Sequence, residues 1–436
     1  MARLRQEMVD ELAAHGALSA PAVEAAMRKV PRHLFVPGLR PEEAYADQAI
    51  PTKVVAGEAV SSSSQPGIMT IMLEQLGVEP GQRVLEVGAG TGYNAALLAE
   101  LVGPAGTVVT LDIDEDVAAG ARRHLAAAGV AGVRVVCADG ADGYGPAAPY
   151  DRIILTVGAS DVAPAWIEQL AEDGRLVLPL SLRGLQQSVC LVRDGDHLVS
   201  RSLQDCGFMP LRGSLRGPER RLGLPVPGHP GVTVLVPDAR DVDTGALALA
   251  LTAPRPDRDT GAVVGARETV TSLGRWLALR EADAVRLSCH GAAGGARGCP
   301  VPEMVGWSTP GGRERLTPAL LGTAGLAALA RPDRPDRPDR PDRPDRRERG
   351  AGPSGDWARA ERSRFSLQVR GFGDGAETGE LVDRLARHVR AWDSAGRPAT
   401  EHVRLRVHPR GGPLPAAGEG EMVVETGHSR IVVTVR

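Results

Sequence analysis

The stretch Arg83-Val-Leu-Glu-Val-Gly-Ala-Gly-Thr-Gly-Tyr-Asn94 has residue types and a spacing that could bind a small reactive ligand. Gly88, Gly90 and Gly92 permit a tight turn from a strand into a helix, with backbone lying against the ligand and a helix N-terminus behind it. Glycines alone fit several kinds of nucleotide site. Here Glu86 stands two residues before the first glycine, and no Lys-Ser/Thr pair follows the turn. A phosphate cradle usually needs that lysine. An acid instead suits a ligand with a cationic end, such as the amino and sulfonium groups of S-adenosylmethionine.

Alternating strands and helices must position this turn. Apolar runs predict strands at 83–87, 107–112, 133–137, 151–156 and 174–179, with helices at 93–102, 114–128 and 162–171 between them. Strands separated by helix-length segments imply a parallel, doubly wound sheet that binds ligands at the carboxyl ends of its strands. Two further strands fit 187–193 and 197–209 around Asp194-Gly195. Residues 1–30 read as helical, and 58–66 as a polar loop before a helix from Gly67 to Leu76. Prolines and arginines make 216–230 a connector.

Residues 231–436 then read as a second domain. Its predicted strands are 231–236, 284–288, 364–370, 402–408 and 420–435; its predicted helices are 244–251, 266–279 and 376–392. Five Arg-Pro-Asp copies at 331–345 cannot form helix or ladder, so 331–350 is expected to be a flexible insertion.

The 436 residues suffice for two or three domains, and 42% hydrophobic content suffices for their cores. A net charge of −3 gives no bulk argument for nucleic acid or an anionic membrane. No apolar run reaches roughly eighteen residues, and no signal pattern opens the chain, so a cytoplasmic protein is expected. Five scattered cysteines, 137, 190, 206, 289 and 299, argue against a disulfide framework. Cys289-His290…Cys299 is too loosely spaced to imply a metal, and none is expected.

Several pieces, in order, resemble the protein-L-isoaspartate O-methyltransferase family. They include Val30-Pro-Arg-His-Leu-Phe-Val-Pro37, Ala44-Tyr-Ala-Asp47, Ser64-Gln-Pro66, Val84–Tyr93, Asp139-Gly140, Pro149–Ile154, Gly174–Pro179 and Phe208-Met-Pro-Leu211. The resemblance covers roughly residues 5–215. It implies an α/β fold of the class I methyltransferase type, Rossmann-like and doubly wound with a mainly parallel sheet, over residues 1–215. The C-terminal domain is expected to be α/β or α+β. It also implies S-adenosyl-L-methionine as cofactor and a peptide carboxylate as acceptor. Carried over by position, Glu86, Gly88, Gly90 and Thr91 line the methionine and sugar side, Asp112 holds the ribose hydroxyls, and Asp139 and Gly140 meet the adenine. Ser64 falls on the family's active serine, Ser62 on its threonine and Ser63 on its isoleucine.

The run Ser61-Ser62-Ser63-Ser64 and the long C-terminal half depart from the repair enzymes. Both resemble a specialised branch found beside ribosomally made peptides, including the lanthipeptide FxLD system. That branch implies methylation of an ordinary aspartate in a macrocyclic precursor peptide; the ester closes to an aspartimide, which can open to isoaspartate.

An aspartate of pKa about 3.9 is already ionised at neutral pH, so methyl transfer needs alignment and no general base. Serine hydroxyls can orient such a carboxylate without adding charge, with Ser64 nearest the transfer. Bland readings stand beside these: the serines as linker, Asp112 as a helix cap, Asp139-Gly140 as a turn, Tyr45 and Asp47 as pins for the N-terminal helix, Arg212 as solvated and not a substrate contact, and His33 as structural and not catalytic. The leading expectation is a methyltransferase that tailors a ribosomal peptide recognised by residues 216–436, whose deletion leaves a folded, cofactor-binding core. The alternatives are a repair enzyme acting on isoaspartate and a non-catalytic S-adenosylmethionine-binding module.

Overall fold

The computed structural model of the chain describes residues 1–55, 58–291, 299–309, 312–332, 364–412, 418 and 420–435. They fall into two compact units. Met1–Ser181, Gln186–Gly217 and Glu401–Arg436 form the first, and Leu182–Leu185 with Pro218–Thr400 form the second.

In the first unit, α1 (Ala2–Ala14) turns Met8, Val9 and Leu12 inward. Pro21 opens α2 (Pro21–Lys29), where its missing N–H costs no hydrogen bond. A short α3 (Pro41–Ala44) leads to the hairpin β1 (Ile50–Val55) and β2 (Glu58–Ser63), then α4 (Pro66–Leu76). Asp47 fixes the entry to α4, accepting from Gly67 N at 2.7 Å and Gln65 Nε2 at 2.9 Å.

Alternation follows: β3 (Arg83–Val87), α5 (Tyr93–Val102), β4 (Thr107–Asp112), α6 (Glu115–Ala127), β5 (Val133–Cys137), β6 (Tyr150–Leu155), α7 (Pro164–Gln169) and β7 (Leu170–Leu182). The hairpin β8 (Leu185–Asp194) and β9 (His197–Asp205) comes next. Strands β5-β4-β3-β6-β7 lie side by side and parallel. The chain winds outward from β3 to β5, then continues on the other side with β6. That reversal opens a crevice at the carboxyl ends of β3 and β6.

The second unit contains β10 (Arg220–Gly223), β11 (Val232–Val236), α8 (Thr244–Leu251), β12 (Arg258–Gly265), α9 (Ala266–Arg280), β13 (Ala284–Gly291), β14 (Val305–Thr309), β15 (Gly312–Leu321), β16 (Leu326–Ala330), β17 (Arg364–Phe372) and α10 (Ala376–Ser394). Its strands form one antiparallel sheet in the order β10-β11-β13-β15-β16-β17-β12, with β14 also paired to β15. Leu247 and Leu251 of α8 pack with Val234 and Leu287 in one core. Leu277 of α9 and Leu385 and Trp392 of α10 pack with Val264 and Val369 in another.

The chain then returns to the first unit with β18 (Val403–Pro409), β19 (Glu421–Glu425) and β20 (Ser429–Val435). Strand β18 pairs with β9 through Arg406↔Val199 and Val407↔Leu198, and β20 and β19 follow outward. The result is a ten-stranded sheet, antiparallel from β8 to β19.

Three expectations change. The doubly wound core β5-β4-β3-β6-β7 is parallel as expected, and β8, β9 and β18–β20 extend it into a mixed sheet. Residues 401–436 belong to that sheet and not to a domain over 231–436; Val403, Leu405 and Val407 alternate as in any half-buried strand, and alternation does not say which sheet a strand joins. The connector 216–230 contains β10, which pairs with β11. Ser61, Ser62 and Ser63 are strand and not loop, since β1 supplies their backbone partners, while Ser64 follows the strand. Of the Arg-Pro-Asp insertion at 331–350, all but Arg331 and Pro332 lies outside the described residues.

Candidate active site

A cavity lies at the carboxyl ends of β3, β4 and β6, where the strand order reverses. The glycine turn forms its floor, Ser61–Ser64 one wall, and Met209–Arg212 another. Glu86 sits at the bottom, fully buried. Its Oε1 accepts from Asn94 Nδ2 at 2.8 Å and its Oε2 from Thr110 Oγ1 at 2.6 Å. Thr110 reaches it because Glu86 and Thr110 face each other in the β3–β4 register. Burial pushes the carboxyl up to about 7, against those two hydrogen bonds. A cation beside it would offset that cost.

Asp112 ends β4. Its Oδ2 accepts from Gly90 N at 3.0 Å and its Oδ1 from Asp114 N at 3.2 Å. Burial raises its pKa, opposed by those N–H groups. Two glycines make the floor close and bare. Gly88 has φ +102°, and a Cβ there would lie 2.7 Å from Thr156 Oγ1. Gly90 has φ +49°, and its Cβ would lie 3.2 Å from the Ser62 carbonyl oxygen.

Across the turn, Ser61 and Ser63 are buried, and Ser62 and Ser64 are half-buried. Thr52 Oγ1 donates to Ser61 Oγ at 3.2 Å. The buried Ser63 Oγ has no hydrogen-bond partner among the described residues. Behind them Arg32, fully buried, donates Nη1 to the Ser64 carbonyl at 3.0 Å and Nη2 to the Gln48 carbonyl at 3.3 Å. Burial lowers its pKa; the wall therefore rests on a buried cation that grips backbone and not a side chain.

Asp114 joins the two walls. Arg212 donates to it, and Lys53 of β1 bridges it at 2.8 Å and Asp116 at 2.7 Å. The Arg212 hydrogen bond holds the Asp114 carboxyl below its ordinary value, against partial burial and with help from Lys53.

Glu86, Gly88, Gly90, Thr91, Asp112, Gly140 and Ser61–Ser64 all line this one cavity. Asp139 differs: its Oδ1 accepts from Ala141 N at 3.0 Å and its Oδ2 from Ser214 N at 2.8 Å. Its carboxyl is lowered even though burial pushes the other way, because those N–H groups outweigh it. Arg212 lines the cavity and pairs with Asp114 while its side chain stays partly exposed. His33 binds the Tyr45 hydroxyl at 2.7 Å, in keeping with a structural role. Sequence reading did not single out Asn94, Thr110, Thr156, Arg32 or Lys53. Asn94 alone had a local signal, its place two residues after Gly92; the others depend on strand register or tertiary approach.

The arrangement suits S-adenosylmethionine: a buried acid for a cationic end, bare backbone for close approach, and an acid at the end of β4. A family model described as Protein-L-isoaspartate(D-aspartate) O-methyltransferase matches residues 3–216. The chain is 43% identical over 212 residues to a protein of Methanoculleus marisnigri named Protein-L-isoaspartate O-methyltransferase, covering 48% of this chain and 92% of that one. A solved protein-L-isoaspartate O-methyltransferase aligns over 92% of this chain and 96% of its own, at 20% identity and a TM-score of 0.47. A putative enzyme of that name from Plasmodium falciparum, solved in complex with S-adenosyl-L-homocysteine, aligns over 48% of this chain and 98% of its own, at 18% identity and a TM-score of 0.42. The chain belongs to the protein-L-isoaspartate O-methyltransferase family and is an S-adenosylmethionine-dependent carboxyl methyltransferase with a class I methyltransferase fold.

Proposed function

We propose that this enzyme methylates the side-chain carboxylate of an aspartate-derived residue within a peptide, with Ser61–Ser64 holding the acceptor. The observation that carries this is that Ser61–Ser64 line the same cavity as the glycine turn, and that the Ser63 Oγ is buried with no partner among the described residues. Glu86, Gly88, Gly90, Thr91 and Asp112 would hold S-adenosylmethionine, which supplies an electrophilic methyl group on a sulfonium. The chain's own residues bind, align and exclude water. The serine hydroxyls donate to one carboxylate oxygen and leave the other free to attack. No side chain has to take up a proton, because the acceptor is already ionised.

Two acceptors meet this description. An isoaspartyl residue is favoured by the 43% identity to a relative of that name over nearly its whole length, and it is the reading we adopt. An ordinary aspartate in a ribosomally made, lanthipeptide-type precursor is favoured by two features: the serine run, and a second unit of which that relative, matching 48% of this chain, covers little. In this reading the ester closes to an aspartimide and can open to isoaspartate, and the second unit recognises the precursor. Incubating the full-length protein with matched isoaspartyl and aspartyl peptides, linear and ring-closed, separates the two. Ester on the linear isoaspartyl peptide supports the first reading; ester on ring-closed aspartate alone supports the second.

A further inference from the structure

The geometry points to Cys289 and Cys299 as a reversible oxidation site that closes to a disulfide. The two sulfurs lie 2.6 Å apart, closer than the van der Waals contact of two free thiols. Cys289 is fixed on both sides of its strand, opposite Val232 of β11 and Arg315 of β15. Its side chain is buried, while that of Cys299 is partly exposed, so an oxidant reaches Cys299 first. Cys299 is also the more acidic thiol. The hydrogen bond with Cys289 lowers its pKa, and the Val301 N–H and the Arg315 guanidinium add to this against burial and the Glu303 charge. The three remaining described cysteines offer no such neighbour: Cys137 donates to the Ile113 carbonyl at 3.6 Å, Cys190 to the Gln75 carbonyl at 3.4 Å, and Cys206 to Gln186 Oε1 at 3.9 Å.

With hydrogen peroxide as oxidant the step balances. The Cys299 thiolate attacks one peroxide oxygen, the O–O bond breaks, and hydroxide leaves as a sulfenic acid forms. The Cys289 sulfur attacks that sulfur, and the sulfenic oxygen departs as water with the Cys289 proton. Hydroxide takes up the proton lost from Cys299. Two thiols and one peroxide thus give one disulfide and two waters.

The bond has a structural consequence. The segment after Cys299 buries Val301 and Met304, each in a different core of the second unit. A disulfide would tie that segment to β13 and remove freedom from the unfolded chain.

The test uses the full-length protein, reduced and then treated with hydrogen peroxide, alkylated, and mapped without reductant. The expected result is a Cys289–Cys299 crosslinked peptide that reappears as two alkylated peptides after dithiothreitol. Both thiols should be lost about tenfold faster than Cys190. Oxidation should also raise the thermal midpoint in the wild type but not in Cys299→Ala. Sulfinic acid at Cys299 with Cys289 still alkylatable would overturn the assignment, as would full alkylation of both after Cys137 has been oxidised.

Discussion

Arg212 meets Asp114 through two contacts, Nη1–Oδ1 at 3.2 Å and Nη2–Oδ2 at 2.8 Å, while Lys53 shares the same carboxylate. One acid thereby joins the hairpin that carries the serines to the opposite wall. Lys53 is one of two lysines in the chain, the other cations being arginine; its flexible point charge can serve Asp114 and Asp116 together. Asp114→Asn keeps the size and removes the charge. It should weaken S-adenosylmethionine binding about tenfold and reduce the salt dependence of that binding. Calorimetric titration at two ionic strengths reads both; an unchanged affinity and salt slope would remove the joining role.

Ser64→Ala should lower the methyl-transfer rate about 10- to 100-fold, with the donor dissociation constant within about twofold of wild type. Ser63→Ala should do the same to transfer, yet it should not destabilise the free protein, because its hydroxyl is buried with no partner among the described residues. Single-turnover rates together with thermal unfolding test the pair. Equal losses of transfer and donor binding would contradict acceptor alignment.

Glu86 yields a pH signature whose sign is fixed by its surroundings. Burial raises its folded-state value from 4.5 to about 7. The folded protein therefore holds this proton more tightly than the unfolded chain, and the resulting stability is present below about pH 4.5 and lost as pH rises through about 7. The penalty above that is on the order of 3 kcal/mol. Glu86→Gln should make the donor-free protein more stable at pH 8 and flatten its profile between those values. Donor affinity, which relies on the ionised acid, should fall in wild type as pH drops through about 7 and become pH-independent in the variant. Denaturant melts and titrations across this range provide the check.

Asp161 binds the returning C-terminal hairpin, accepting from Thr426 Oγ1 at 2.7 Å and His428 N at 2.6 Å. Asp161→Ala should cost about 2–3 kcal/mol of stability. A chain ended at residue 215 lacks β18–β20 and bares the edge of β9, so it should aggregate. A chain in which a short linker replaces residues 218–400 keeps those strands and should stay unaggregated and bind donor. Light scattering of the two truncations distinguishes them, and equal behaviour would mean the returning strands matter little.

The parallel half of the sheet was readable because each strand from 83–87 to 174–179 is a compact apolar run flanked by helical spacing. Glu86 and the glycines were readable because their chemistry is local. What escaped is non-local. The partner strand for the serines lies eleven residues upstream, and serine is a poor strand former, so only pairing reveals β2. Thr110 meets Glu86 through register, and Arg32 meets Ser64 across 32 residues. The return of residues 401–436 to the first sheet bridges more than 180 residues, which no short-range pattern encodes.

The most direct measurement is incorporation of a labelled methyl group from S-adenosylmethionine into a synthetic isoaspartyl peptide, followed by mild base. Label is expected on the peptide, released by base as methanol, and greatly reduced by Ser64→Ala. Tight donor binding with no base-labile label on isoaspartyl or aspartyl peptides, linear or ring-closed, would contradict carboxylate methylation in the serine-walled cavity.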